Sequence, residues 1–339
     1  MKILNLVSLA ESEIKYRIDK FPDQQQQVVI EKEIIIGYRN VRNSDSINPP
    51  LYIPIKDNMN PATIVQIKAR LNSFKDLELI LCATKSLRGL GVKEIHLYTP
   101  YFMGARSDRK FEEGSNNYLK DVICPIINAM GFESVTVMDA HSDVLEACLN
   151  NFTNISNTNL VRFAIRDIYK PLTENSTADG DEYVLVSPDA GASKKIYKLA
   201  EQIGYKGEII TCSKDRDVDG KLTKCVVPLI EDDGSGYTTQ YKDNCYKKDF
   251  IIIDDCIDGG QTFINIAKEI KSKLPKNKIY LIVTHSIFSK GFNELSKYFD
   301  GIYCTNSYYD DETVYQKARL ANCNKPGMKE NFITQLNVF

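Results

Sequence analysis

The chain has 339 residues, enough for two domains of ordinary size, with 43% hydrophobic and 26% charged residues in a globular balance. Its 43 Lys and Arg nearly cancel 45 Asp and Glu, and the net charge of -2 excludes a strongly basic nucleic-acid binder. No apolar run approaches the ~18 residues that would suggest a membrane span. Met1–Ser8 reads as a first strand, without the longer apolar stretch and small-residue cleavage site of a signal peptide. Nine cysteines form no CxxC and only three histidines occur, so a structural zinc site is not expected. The odd cysteine count points to reduced thiols, and a cytoplasmic location is expected.

In chain order, strands are predicted at Lys2–Ser8, Val28–Ile36, Leu51–Ile55, Glu94–Thr99 and Ser134–Asp139, with helical stretches near Pro61–Leu90 and Asn117–Met130. Asn150–Asp181 is polar and turn-rich, with a short helix at Asn159–Ile168, and a domain boundary is placed within it. The pattern restarts at Tyr183 with an apolar strand. A helix at Ser193–Gln202, strands at Glu208–Ser213 and Phe250–Asp255, a helix at Thr262–Lys273 and a strand at Ile279–Thr284 follow. Short apolar runs alternating with helical segments predict an α/β fold with parallel sheets and crossover helices. The expected domains are 1–155 and 156–307. Ligands of such sheets bind outside the carboxyl ends of the strands, so function is sought where each strand stops.

The most informative strand end is Asp254-Asp255-Cys256-Ile257-Asp258-Gly259-Gly260-Gln261-Thr262. Adjacent acids repel unless a partner relieves them, and ribose hydroxyls or Mg²⁺ are suitable partners. The glycines allow backbone N–H groups to approach a phosphate at a helix start, where Thr262 adds a hydroxyl. An acidic, capped helix start is the plainer alternative. After Glu94–Thr99 come Arg106, Ser107, Asp108, Arg109 and Lys110, three cations where a triphosphate could lie, or a charged turn. His141 follows Asp139 at another strand end, suited to metal or nucleotide, or to a capping role. His285 also closes a strand, where a backbone hydrogen bond is the stronger reading, and His96 reads as structural. Asp189, in Ser187–Lys195, could face metal or ribose. Lys214 and Arg216 follow another strand on a loop of alternating charge.

Together these segments resemble, in order and spacing, those of the ribose-phosphate diphosphokinases (phosphoribosyl pyrophosphate synthetases). The segment at Asp254–Thr262 resembles the ribose-phosphate signature of type I phosphoribosyltransferases. Pro100–Lys110 resembles the family's ATP-binding strand end, and Asp139-Ala140-His141 its Asp-Leu-His motif. Ser187–Lys195 resembles its Ser-Pro-Asp-x-Gly-Gly loop, and Thr284–Ser289 its Thr-His segment. The resemblance implies two tandem type I phosphoribosyltransferase-like domains facing each other across a cleft, with the tail 308–339 packing back on the first. It implies Mg²⁺-dependent transfer of the β,γ-diphosphoryl group of ATP onto the anomeric hydroxyl of ribose 5-phosphate. Lys214 and Arg216 would be catalytic. Phe21, Asp23, Arg106, Ser107, Asp108 and His141 would bind ATP. Asp189, Asp254, Asp255, Asp258, Gly259, Gly260, Gln261 and Thr262 would bind ribose phosphate. His141, Asp139 and Asp189 would face the metal. A homo-oligomer, dimer or hexamer, is implied, because in the family a neighbouring subunit completes the adenine pocket with a loop that here reads Phe21-Pro22-Asp23-Gln24-Gln25. Phe111–Asn117 reads as a flap over ATP or an ordinary surface loop.

The sequence also departs from the family. Ser107 stands where the family has Gln, and Asn150 and Asn154 where it has acids. The family's Asp-Thr-x-Gly-Thr has become Asp258-Gly259-Gly260-Gln261-Thr262. A Gln in the phosphate loop raises an alternative acceptor whose 5-phosphate is esterified further, such as ADP-ribose, with ribose 5-phosphate slightly favoured. A phosphoribosyltransferase or a non-catalytic regulatory relative would be the readings from other classes. The tandem halves argue against the former, and Lys214, Arg216 and His141 against the latter.

Overall fold

The computed structural model describes residues 1–7, 39–40, 51–52, 55, 58–169, 182–216, 222–228, 230–232, 239–241, 247–309 and 332–339. It divides into two compact units, Met1–Ile155 with Phe339, and Ser156–Val338. No helix among the described residues is long and apolar enough to cross a membrane.

The first unit contains β1 (Lys2–Asn5), β2 (Arg39–Asn40), β3 (Leu51–Tyr52), β4 (Ile64–Lys68), α1 (Phe74–Gly89), β5 (Glu94–Tyr98), α2 (Cys124–Ala129), β6 (Ser134–Met138), α3 (Val144–Cys148) and β7 (Phe152–Ile155). Apart from the short antiparallel pair β2–β3, these strands form one parallel sheet in the order β1-β4-β5-β6-β7. Val65, Ile67, Ile95, Leu97, Val135 and Val137 bury one face of it beneath Leu77, Ile80, Ala83 and Leu87 of α1. The helix predicted over Pro61–Leu90 is therefore two elements. Ile64-Val65-Gln66-Ile67-Lys68 alternates, burying Val65 and Ile67, and that period of two makes it a strand. A capping box then starts α1: Asp76 N–H donates to Ser73 Oγ at 3.4 Å, and Ser73 N–H donates to Asp76 Oδ2 at 2.9 Å. The helix predicted at Asn117–Met130 opens as a π-helical turn, Tyr118–Ile123, before α2. Pro125 has no N–H to offer residue 121, which interrupts the ladder there. The strand predicted at Val28–Ile36 lies outside the described residues.

The second unit contains α4 (Thr158–Tyr169), β8 (Tyr183–Ser187), α5 (Ala190–Ile203), β9 (Ile209–Thr211), β10 (Ser213–Arg216), β11 (Leu222–Val226), β12 (Ile230–Asp232), β13 (Thr239–Tyr241), β14 (Asp249–Ile257), α6 (Gln261–Lys273), β15 (Ile279–Ser286), β16 (Gly301–Thr305) and β17 (Ile333–Leu336). Six strands form a parallel sheet in the order β17-β16-β15-β14-β8-β9, while β10–β11 and β12–β13 are antiparallel pairs. Val184, Val186, Phe250 and Ile252 face α6, whereas Tyr183, Leu185, Ile251 and Ile253 face α4 and α5. Burial on both faces explains why these strands read as continuous apolar runs rather than alternating ones.

Three expectations are corrected here. β14 runs to Ile257 rather than ending at Asp255, because Asp254 pairs with Val283 and Cys256 with His285. β15 correspondingly runs past Thr284 to Ser286, taking in His285, which is buried. The described part of the tail does not return to the first domain as a body. Ile333–Leu336 adds β17 alongside Ile302–Thr305 in the second sheet, and only Phe339 belongs to the first unit. There its ring meets Tyr98 edge-on at 6.0 Å and lies beneath the Arg70 guanidinium at 5.2 Å.

Candidate functional site

The second sheet has one topological switch. From β8 the chain moves outward to β9, then returns to β14 on the other side of β8. Crevices of open parallel sheets form at such points, outside the carboxyl ends of the flanking strands. Asp189 lies just past β8, and the pair Asp254–Asp255 lies in the C-terminal part of β14.

Asp189 is the N-cap of α5. Its backbone is extended, and its Oδ1 accepts from Ala192 N–H at 3.0 Å. A Cβ on Gly191 would stand 3.2 Å from that oxygen, so glycine lets the carboxylate fold over the helix start. Ser187 Oγ donates to the Asp189 carbonyl at 2.8 Å, and Ser193 Oγ joins Thr211 Oγ1 at 2.9 Å. That network ties the end of β8 to the end of β9. Asp255 is buried, and its N–H donates to Asp254 Oδ1 at 2.9 Å. Burial pushes the Asp254 carboxyl well above the usual carboxylate range, and the negative charges of Asp255 and Asp189 push it the same way. Three carboxylates thus sense one another at the switch point, an arrangement that hydroxyl donors or a cation would relieve.

Past β14, Asp258 is exposed and Gly260 is the N-cap of α6 in the left-handed region, at φ +76°. A Cβ at Gly260 would come within 3.2 Å of Leu295 Cδ2. The first turn of α6 contains no acidic residue and no side-chain cap. No side chain takes up its N–H groups, which leaves beside Thr262 the electrostatics of an anion seat. Gln261 does not lie over that seat through its hydrogen bond: its Nε2 donates along the helix to Asn265 Oδ1 at 2.8 Å. Lys214 and Arg216 are on β10, which pairs with β11 in the register Lys214↔Cys225 and Arg216↔Leu222. β11 lies against α6, so this hairpin is anchored beside the same helix.

In the first unit, β5 and β6 are neighbours, and their ends bring two of the expected segments together. Met138 N–H donates to the Pro100 carbonyl at 3.0 Å, and Ser142 Oγ donates to Asp108 Oδ2 at 2.6 Å. Asn117 Nδ2 donates to the Asp108 carbonyl at 2.7 Å, and Leu119 N–H to that of Ser107 at 3.1 Å. Arg106, Arg109 and Lys110 are exposed around this knot, with Arg109 over the Phe111 ring at 5.4 Å. Asp139 is buried with φ +47°, and the chain turns there toward His141. Asn154 holds that turn, because Ala140 N–H donates to its Oδ1 at 3.1 Å. Sequence reasoning marked Asn154 only as a missing acid. The signal available was its place on the edge strand beside Asp139.

His285 and His96 serve the fold. The first bonds Ser307 Oγ at 2.8 Å within the sheet, and the second bridges Ser134 Oγ at 2.8 Å and Glu94 Oε1 at 3.2 Å. Phe21 and Asp23 lie outside the described residues. Asp139 and His141 belong to the first unit and Asp189 to the second. Among the described residues, no three His, Cys, Asp or Glu side chains form a ready metal cage. Mg²⁺ needs none: it takes one or two carboxylates and completes its shell with water and phosphate oxygens. The mutually repelling Asp189, Asp254 and Asp255 fit that requirement.

The fold is two α/β units with parallel sheets, the second carrying an acidic switch point and a glycine-led helix start. The fold agrees with the crystal structure of a phosphoribosylpyrophosphate synthetase from Mycobacterium smegmatis (TM-score 0.67, 17% identity, covering 90% of this chain and 86% of that one). No family model matches the chain. Ribose-phosphate pyrophosphokinases are similar in sequence, among them the following three. That of Thermosipho africanus is 29% identical over 217 residues, which are 64% of this chain and 61% of that protein. That of Mycoplasmopsis pulmonis is 27% identical over 255 residues, 74% and 70% of the two chains. That of Thermococcus kodakarensis is 26% identical over 260 residues, 76% and 81%. The chain is thus similar to ribose-phosphate pyrophosphokinases at 26–29% identity, over 64–76% of its length.

Proposed function

We propose that this protein transfers the β,γ-diphosphoryl group of ATP, as a unit, to the anomeric hydroxyl of ribose 5-phosphate, releasing AMP. The observation that carries the reading is the cluster of Asp189, Asp254 and Asp255 at the switch point, one turn of chain before an uncapped helix start. Carboxylates accept from ribose hydroxyls and helix N–H groups hold a phosphate, so the two features together suit a ribose phosphate. The similarity to ribose-phosphate pyrophosphokinases supports the same substrate class.

In this reading Asp254 and Asp255 accept from the ribose hydroxyls, and the start of α6 with Thr262 holds the 5-phosphate. Arg106, Asp108 and His141 orient ATP, with Phe21 and Asp23 of a neighbouring subunit completing the adenine pocket in a homo-oligomer. Lys214 and Arg216 neutralise the charge that builds on the β-phosphorus as the anomeric oxygen attacks and AMP leaves. Mg²⁺ would supply charge neutralisation on the phosphate oxygens, with Asp189 as a ligand in the second unit and Asp139 and His141 as candidates in the first. The ADP-ribose alternative requires Gln261 to reach a diester, and its bond to Asn265 lends that no support.

The test is AMP release from ATP and Mg²⁺ with ribose 5-phosphate or ADP-ribose as acceptor. Turnover with ribose 5-phosphate is expected. Turnover with ADP-ribose alone would reassign the acceptor, and silence with both in a folded protein would sink the enzymatic reading.

A further inference from the structure

The loop after β15 brings a lysine, outside the sequence motifs, against the loop after β14. Ile287 N–H donates to the Ile257 carbonyl at 2.9 Å and Ser289 N–H to the Asp258 carbonyl at 3.2 Å, so the chain after β15 is fastened along the chain after β14. A tight turn follows, closed by Gly291 N–H on the Phe288 carbonyl at 3.0 Å, with Phe288 at φ +49° and Gly291 at φ +68°. Phe288 holds its left-handed backbone because its ring is buried against Phe292, centroids 4.5 Å apart. The turn presents Lys290, and its stem crosses the phosphate loop. A Cβ on Gly259 would meet Lys290 Cδ and Cε at 3.3 Å each. Gly259 has no positive φ, and a Cβ there would ask the lysine stem to give by a few tenths of an ångström.

Lys290 is exposed and, among the described residues, has no ion pair or hydrogen bond, although the loop after β14 that it crosses also carries Asp258. An ammonium on a flexible stem, held beside an uncapped helix start, supplies the charge that an incoming phosphate dianion needs. Gln261, engaged with Asn265, does not compete for that place.

We infer that Lys290 binds the 5-phosphate of the acceptor and, with Gly259 making room for its stem, selects a terminal phosphate monoester over a diester. This rests on the proposed ribose-phosphate site and names its specificity residue. A monoester dianion gains from the additional cation, whereas an esterified phosphate carries less charge and puts its substituent where the lysine lies.

The experiment is calorimetric binding of ribose 5-phosphate, ADP-ribose and unphosphorylated ribose to the full chain and to three variants, without ATP. Lys290→Gln is expected to weaken ribose 5-phosphate about 10- to 100-fold, the loss of one charge-assisted hydrogen bond. Lys290→Arg should recover most of that affinity, and ribose itself should not distinguish the variants. Gly259→Ala should weaken ribose 5-phosphate by displacing the lysine, and should add little in the Lys290→Gln background. ATP binding, measured separately, should be unchanged. Equal ribose 5-phosphate affinity in wild type and Lys290→Gln would overturn the inference, as would tighter binding of ADP-ribose indifferent to Lys290. Lysine-dependent binding without AMP release would sink the proposed reaction and leave this inference standing. No ribose 5-phosphate binding by the wild type would sink both.

Discussion

Asp254 carries the sharpest residue-scale consequence. Its carboxyl is buried beside Asp255 and Asp189, and ionising it costs the ligand-free protein stability. Asp254→Asn is therefore expected to lower turnover at least about 100-fold while leaving the thermal midpoint at neutral pH unchanged or raised. AMP release and a thermal melt check both halves, and a lowered midpoint would show that the carboxylate is stabilising after all. Asn154 acts at one remove, through its hold on Ala140 N–H. Asn154→Ala should cost about 1 kcal/mol of order in that turn and raise KM for ATP more than it lowers kcat. The acids, glycines and cations were legible in the sequence because each belongs to a short contiguous motif at a strand end. Asn154 and Lys290 were not, because their partners stand 14 and 31 residues away in sequence and only folding brings them near.

The elements show where periodicity serves and where it fails. β14 and β15 announce themselves as apolar runs because both faces are covered. β4 was absorbed into a predicted helix, since its five residues lie close to the periodic stretch of α1. β7, an edge strand with three exposed residues out of four, has no apolar signature to read. Gly260 marks the passage from β14 to α6, and Gly260→Ala should destabilise the protein by about 1–2 kcal/mol for the left-handed backbone alone. Its Cβ would also press on Leu295, so chemical denaturation should show the loss together with weaker ribose 5-phosphate binding. At the opposite end of β14, burial raises the Asp249 carboxyl above its ordinary 3.8, against the lowering influence of Lys278. A raised acid favours the folded state only while protonated. Its contribution is complete below the ordinary value and lost as pH rises through the raised one. Asp249→Asn should thus gain on wild type as pH climbs from about 4 and hold a constant difference above that window. Melts across that range would contradict this if the difference shrank with pH.

At the scale of the whole molecule, two parallel sheets divide the chemistry. The first unit brings Arg106, Asp108, Asp139 and His141 to the ends of β5 and β6, and the second brings Asp189, Asp254, Asp255 and the α6 start to its switch point. Lys214 and Arg216 belong to a hairpin outside the six-stranded sheet, and the proposed transfer assigns them to the charge that develops at the β-phosphorus. Lys214→Ala is expected to reduce kcat about 10²- to 10³-fold with little change in either KM. The central claim is that the diphosphoryl group moves intact, and labelled ATP tests it most directly. With Mg²⁺ and ribose 5-phosphate, label at the β-phosphorus should appear in a ribose product and label at the α-phosphorus in AMP. Label at the β-phosphorus recovered in ADP, or no labelled ribose product from a folded protein, would contradict it.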